Sequence, residues 1–184
     1  MLTATKGGKI NISEEKDTKS LAEKFSKLIK QGDFILLSGN LGVGKTTFIK
    51  YVINFLQKVN KQKISEVTSP TFTVINEYQI KKILIKHYDL YRIKNKKELN
   101  NLGIQENLKD QITLVEWPEM VKKIKIKNSI NLKFEYKKNY TERYLSIISK
   151  NKKILKWISI NLKNYLEMLH SDIFIEVEIV LLFI

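Results

Sequence analysis

No cysteine occurs among the 184 residues, which excludes a disulfide framework, a thiolate metal centre and cysteine-based nucleophilic catalysis. Histidine is almost as scarce. Two residues are too few for a histidine-rich metal site, so any bound metal is expected to be hard and oxygen-ligated. No run of about 18 apolar residues is present to span a bilayer, and residues 1–7 hold no apolar stretch that would serve as a secretory signal. The expectation is a cytoplasmic protein with no membrane partner. Internal repeats are lacking as well.

Arginine is scarce in a strongly basic chain. Lys+Arg is 33 and Asp+Glu 19, giving a formal net charge of +14, yet only Arg92 and Arg143 carry a guanidinium. An excess of this size taken alone points to nucleic acid or an anionic membrane. Bidentate recognition of phosphate or guanine, however, uses the guanidinium fork. Lysine accumulates here beside abundant isoleucine and asparagine, the bias that AT-rich codons produce, so most of the charge reads as a solvated lysine surface. Its distribution is uneven. Residues 121–163 hold 13 basic and 2 acidic side chains, 13 − 2 = +11, whereas residues 164–184 hold four acidic side chains and no lysine or arginine. One face is therefore expected to attract phosphate.

At 43% hydrophobic and 28% charged, a chain of this length can bury a core of its own. Residues 9–12 alternate as a short strand. Leu21, Ala22, Phe25, Leu28 and Ile29 then fall at helical spacing, with Gln31-Gly32 as a stop. Phe34-Ile35-Leu36-Leu37 is a continuous apolar run, the pattern of a strand buried on both faces of a parallel sheet. A helix is predicted over 45–58, with Phe48, Ile49, Val52, Ile53 and Leu56 on one side. Residues 67–78 are β-rich around Pro70, 83–87 form a short strand, 98–103 a helical turn, 112–115 an apolar strand, and 130–134 and 144–148 two more strands. Residues 152–170 fit an amphipathic helix, and 173–184 form an apolar tail too short to cross a bilayer. The expected architecture is α/β, with a mostly parallel central sheet flanked by helices.

Between the first apolar strand and the helix after it, Gly39-Asn40-Leu41-Gly42-Val43-Gly44-Lys45-Thr46 satisfies the phosphate-loop pattern G-x-x-x-x-G-K-[ST] in the context its mechanics requires. Glycines let successive N–H groups converge on phosphate oxygens, and the helix N-terminus adds its dipole. Lys45 would reach the β and γ phosphates, and the Thr46 hydroxyl would ligate Mg2+. Gly39, Leu41, Gly42, Val43, Gly44, Lys45, Thr46 and Thr47 are the nucleotide-binding candidates of this segment. Metal and attacking water need further groups from other strand ends. Glu116 ends the strand Ile112-Thr113-Leu114-Val115, and Asp89 follows another, both where ligands of open α/β sheets bind. Thr68, Ser69, Pro70 and Thr71, with Thr73, form a hydroxyl-rich loop at the position of the first switch of nucleotide hydrolases.

The phosphate loop, Val67-Thr68-Ser69-Pro70-Thr71-Phe72-Thr73, His87-Tyr88-Asp89-Leu90-Tyr91-Arg92 and Val115-Glu116-Trp117-Pro118-Glu119, in that order and spacing, resemble the TsaE (YjeE) family of ATPases of tRNA threonylcarbamoyladenosine biosynthesis over about residues 10–149. The resemblance implies a P-loop NTPase-like fold. It also implies ATP and Mg2+ as cofactors and weak hydrolysis in support of the threonylcarbamoyl-transferring pair of TsaB and TsaD type, with tRNA engaged indirectly. By the same resemblance Lys45 and Thr46 hold phosphate and metal, Glu116 is a metal ligand, and Asp89 serves metal or water. Lys45, Asp89 and Glu116 form the catalytic set, Trp117 and Arg143 lie near the nucleotide, and Glu15 to Thr18 flank the base. The family's acidic residue after the first loop glycine is Asn40 here, a position that contributes mainly backbone. Residues 1–150 would be the ATPase domain and 151–184 an extension beyond the usual family end.

Rival readings are a P-loop small-molecule kinase, a GTPase suggested by Asn95-Lys96-Lys97-Glu98, and a basic nucleic-acid-binding protein with a structural nucleotide. The kinase lacks an arginine-bearing lid. The GTPase motif has Glu in place of its aspartate and follows Arg92 too closely.

Overall fold

The computed structural model describes residues 4–5, 9–121, 126 and 129–169, with the backbone alone at 4–5 and 161–169. In chain order the elements are β1 (Ala4–Thr5), β2 (Lys9–Asn11), α1 (Glu15–Ser26), β3 (Phe34–Ser38), α2 (Lys45–Val59), β4 (Ile75–Ile80) and β5 (Ile83–Asp89). They continue with α3 (Lys96–Asn101), β6 (Gln111–Glu116), β7 (Ile130–Lys137), β8 (Glu142–Ile148) and α4 (Lys152–Leu169). The eight strands form one sheet in the order β1-β2-β8-β7-β3-β6-β5-β4.

Strand period decides the two cores. In β3, Ile35 and Leu37 join the larger core with α1 and α2, whereas Phe34 and Leu36 join a smaller one on the opposite face with Tyr88, Leu90, Leu99 and Val115. An apolar run without alternation is what a strand covered on both sides needs. The larger core is closed by Leu21, Ala22 and Phe25 of α1 and by Phe48, Ile49, Val52, Ile53 and Leu56 of α2. A ladder of rings ties the layers together: Phe25 and Phe48 lie 5.7 Å apart, and Phe48 and Phe134 of β7 lie 5.8 Å apart, edge to face.

The four central strands β7, β3, β6 and β5 run parallel, with the apolar runs of β3 and β6 side by side at the centre. The expectation of a mostly parallel sheet does not extend to the ends, where β4–β5, β7–β8, β8–β2 and β2–β1 are antiparallel. For β4–β5 and β7–β8 connection length is the reason. The links Lys81-Lys82 and 138–141 are hairpin turns, with Lys81, Lys138, Asn139 and Tyr140 at positive φ, and a parallel crossover needs a dozen residues or more. Residues 67–74 are not strand: the Val74 amide bonds the Pro70 carbonyl at 2.6 Å and Val74 sits at φ 67, so the chain turns before β4 begins. Helix α1 ends at Ser26, before Leu28 and Ile29, although Ile29 is still buried.

The helix predicted after residue 151 is present, and Ile154 is buried in the larger core with Trp157 and Ile158 packed against it. The apolar segment 173–184 lies outside the described residues. Among the described residues no helix is long and apolar enough to cross a membrane.

Candidate functional site at the carboxyl ends of the central strands

Register brings the site together. Across the parallel pairs, Leu37 is the Cα partner of Glu116 and Asp89 that of Glu116, so both carboxylates end their strands beside the start of the phosphate loop. Gly39 makes this approach possible. At φ 141, a Cβ on it would lie 2.4 Å from the Phe134 carbonyl oxygen of β7. Gly44, the N-cap of α2 at φ 106, then directs the chain into the helix.

Lys45 is 4% exposed. Its Nζ donates to the carbonyls of Gly39 at 2.8 Å and Asn40 at 2.9 Å and stands 3.9 Å from the centre of the Trp117 ring. Burial holds its pKa below the ordinary lysine value, an effect partly opposed by the carboxylates of Glu116, Asp89 and Glu119. Such an ammonium, bonded only to its own loop and a ring face, suits an incoming anion. Trp117 reaches it because the chain turns at φ 55 immediately after Glu116, with the Trp117 amide on the Leu37 carbonyl and its ring 4.9 Å from Tyr91.

Thr46 Oγ1 donates to Glu116 Oε1 at 2.8 Å, and His87 Nε2 meets the same oxygen at 2.9 Å. Asp89 Oδ2 accepts the hydroxyls of Ser69 at 2.9 Å and Thr71 at 2.6 Å, while its Oδ1 accepts the Tyr91 amide at 3.0 Å. The hydroxyl loop therefore does not satisfy its own backbone; two of its hydroxyls are tied to a carboxylate 18 and 20 residues away. Pro70 is buried and gives its carbonyl to Val74, and the Thr68 carbonyl accepts from Asn76. Phe72 at the loop tip is 81% exposed with the Arg92 guanidinium 4.3 Å above its ring.

The other candidates are placed as follows. Arg143 donates to the Ser13 carbonyl, and its guanidinium nitrogen lies 3.8 Å from where a Gly44 Cβ would stand, beside the loop. Glu15, the first residue of α1, accepts the Tyr51 hydroxyl of α2; that bond pushes the Tyr51 pKa up to about 12. Leu41 is exposed at the loop tip, while Val43 is buried in the core, so Val43 has only its backbone to offer a ligand. Thr47 is half-buried in the first turn of α2. Asn40 takes part through its carbonyl, consistent with a backbone role.

Asn95-Lys96-Lys97-Glu98 does not read a base. Asn95 caps α3 by accepting the Glu98 amide at 2.9 Å, and Glu98 returns a bond to the Lys94 amide at 3.0 Å. This resembles a capping box, except that the returned bond comes from the residue before the cap.

Two carboxylates and a hydroxyl are hard oxygen donors. Among the described residues no group of three or more His, Cys, Asp and Glu could hold an ion unaided. Mg2+ is commonly held by one or two carboxylates together with waters and substrate phosphates. Sequence reasoning missed His87, although it precedes Asp89 by two residues and so shares its face of β5.

Residues 12–145 match the family model "Threonylcarbamoyl adenosine biosynthesis protein TsaE". Among curated proteins the chain is 35% identical to the tRNA threonylcarbamoyladenosine biosynthesis protein TsaE of Rickettsia conorii, over 77% of this chain and 78% of that one. It is 40% identical to the protein of the same name from Aquifex aeolicus, over 59% of this chain and 74% of that one. The crystal structure of Bacillus subtilis YdiB superposes with a TM-score of 0.62 at 23% identity, covering 90% of this chain and 97% of that one. That likeness establishes the α/β fold.

Proposed function

The chain belongs to the TsaE family, and from that premise we propose that it binds ATP with Mg2+, hydrolyses it weakly, and so serves the threonylcarbamoyl modification of the adenosine next to the anticodon of tRNA. The observation that carries this reading is the convergence of Lys45, Thr46 and Glu116 on one side of the phosphate loop, with Trp117 stacked on the lysine. Loop amides and Lys45 receive the phosphates, and Arg143 stands at the loop's flank. Thr46, Glu116 and Asp89 are the oxygen donors for the metal. Bound Mg2+ would draw charge from the phosphate oxygens and orient them.

Asp89 links this chemistry to the surface. Its carboxylate is shared by Ser69 and Thr71, so a cation that engages Asp89 changes the hold on the loop carrying exposed Phe72. An order change of this kind is how P-loop proteins present different surfaces to partners in different nucleotide states. The partner in this reading is the threonylcarbamoyl-transferring pair of TsaB and TsaD type, contacted protein to protein in the cytoplasm. Residues 1–150 supply the ATPase, with 151–184 as an extension. Lysine contacts to tRNA would be weak and would fade as salt rises, by counterion release.

The test is ATP hydrolysis measured alone and then with the subunit pair and tRNA, alongside calorimetric binding of ATP, GTP and tRNA. Stimulation only in the full mixture, lost in Lys45→Ala without loss of fold by circular dichroism, is the expected result. Unchanged ATP affinity in a folded Lys45→Ala variant removes the phosphate-loop assignment. Tight, salt-resistant tRNA binding by this chain alone favours a nucleic-acid-binding protein instead.

A further inference from the structure

His87 lies on β5 between Ile85 and Asp89 and is fully buried, at 0% exposure. Its Cα partners are Asn76 of β4 and Leu114 of β6, and Ile85, two residues before it on the same face, belongs to the larger core with Leu114. A polar ring in such a place loses its hydration and is retained at low cost only if hydrogen bonds replace it. One bond does so: Nε2 meets Glu116 Oε1 at 2.9 Å. The second ring nitrogen, Nδ1, has no partner among the described residues. A carboxylate oxygen can only accept, so Nε2 carries the hydrogen. Among the described residues its single paired atom is the one bonded to Glu116.

Both donors to Glu116 fall on the same oxygen. Thr46 Oγ1 and His87 Nε2 bond Oε1 from two sides, at 2.8 and 2.9 Å, while Oε2 takes no hydrogen bond among the described residues. The two donors differ in what else they can do. The Thr46 oxygen can offer its lone pair to a cation while its hydrogen stays on Oε1. The histidine contributes only the bond that fixes the carboxylate.

We infer that His87 is a positioning residue for Mg2+ binding: its Nε2–H holds Glu116 Oε1 so that Oε2 is presented to the metal in a fixed orientation. This rests on the reading of Glu116 as a metal ligand. Partners that orient a ligand from behind typically change metal affinity 10- to 100-fold when removed. The conservative replacement is glutamine, whose side-chain amide keeps an N–H donor, whereas leucine keeps volume and loses the donor.

The experiment titrates MgCl2 into the full chain with a non-hydrolysable ATP analogue, and measures analogue binding without Mg2+ in parallel. His87→Leu is expected to weaken the apparent Mg2+ affinity by about 10- to 100-fold while metal-free analogue binding stays within about twofold; His87→Gln recovers most of the loss. A second readout needs neither nucleotide nor a variant at position 87: nitrogen-15 NMR of the ring shows the hydrogen on Nε2, with His170 assigned by its own substitution. Glu116→Gln is the reference. If it weakens Mg2+ dependence and His87→Leu does not, or if His87→Gln is as impaired as His87→Leu, the positioning role is overturned while the metal site stands. If Glu116→Gln itself leaves Mg2+ dependence unchanged, the metal-site reading falls and this inference falls with it. A hydrogen found on Nδ1 and absent from Nε2 overturns the inference whatever the titrations show.

Discussion

Replacing Gly39 by alanine adds one methyl group where the phosphate loop leaves β3 and passes against β7. That methyl would sit 2.4 Å from the Phe134 carbonyl oxygen and 2.9 Å from the Phe134 Cβ, where even a close C···O contact is about 3.3 Å. Relief requires a backbone shift approaching 1 Å by that comparison, and β7 cannot supply it, being bonded to β3 on one side and β8 on the other. The φ of 141 adds a backbone penalty of about 1–3 kcal/mol, and overpacking adds about 1–3 kcal/mol more. Together Gly39→Ala is expected to cost about 2–6 kcal/mol, which lowers the melting temperature of a domain this size by roughly 4–24 °C. Gly42→Ala is the control in the same loop. Its added Cβ meets only the Tyr136 hydroxyl at 3.5 Å, an ordinary contact, and φ 74 is near the left-handed helical region, for a cost of about 1–2 kcal/mol. Urea unfolding of both variants checks the difference. Two losses within about 1 kcal/mol of each other, a gap resolvable in such experiments, would refute the clash with Phe134 as the reason for glycine.

Two further outcomes follow from the same geometry. Phosphate binding draws the Lys45 ammonium from the Trp117 face, so the emission of a Trp157→Phe variant, in which Trp117 is the remaining tryptophan, shifts on titration with an ATP analogue; unchanged emission at calorimetrically proven saturation contradicts the stacked lysine. Tyr51, pushed up to about 12 from 10.0 by its bond to Glu15, keeps its proton in the folded chain where an unfolded tyrosine loses it. Its contribution is therefore present below about pH 10 and lost as pH rises through about 12, so the stability gap between wild type and Tyr51→Phe narrows over that range in urea unfolding and is constant across the neutral range, where Glu15 is ionised; a gap unchanged between neutral pH and pH 12 refutes the bond.

The parts of the site legible in the sequence are those written in consecutive residues. The loop 39–46 carries its own geometry in its glycines, and Glu116 and Asp89 are marked by the apolar strands that end on them. The fixed order of four such segments is specific enough to identify a family. Contacts between distant segments left no comparable trace. Arg143 holds the Ser13 carbonyl across 130 residues, and His87 meets Glu116 across 29; both depend on strand order, which alternation alone does not specify. The antiparallel pairs β4–β5 and β7–β8 follow from short turns whose residues, Lys81-Lys82 and Lys138-Asn139-Tyr140, lack the glycines that usually announce hairpins. The hydroxyls of residues 68–73 marked a loop, two of whose hydroxyls bond Asp89, but β propensity around Pro70 overstated its extent as strand.

Positive φ at Val74 and Trp117 escaped notice for a related reason, and the two positions share a logic. Left-handed backbone costs a side-chain-bearing residue about 1–2 kcal/mol, and a sequence that minimised local strain would put glycine in both. Each instead flanks a carboxylate of the proposed site. The Val74 carbonyl accepts the Asp89 amide at 3.0 Å while its side chain packs on the smaller core, and Trp117 turns directly after Glu116 to lay its ring on Lys45. Glycine at 117 would relieve the turn and remove that ring; glycine at 74 would relieve the turn and loosen the segment that sets the height of Asp89. Strain of this kind persists where surrounding contacts over-determine the backbone. At these two positions, the contacts that hold it are the ones that place the metal-binding carboxylates and the phosphate-binding lysine of the proposed site.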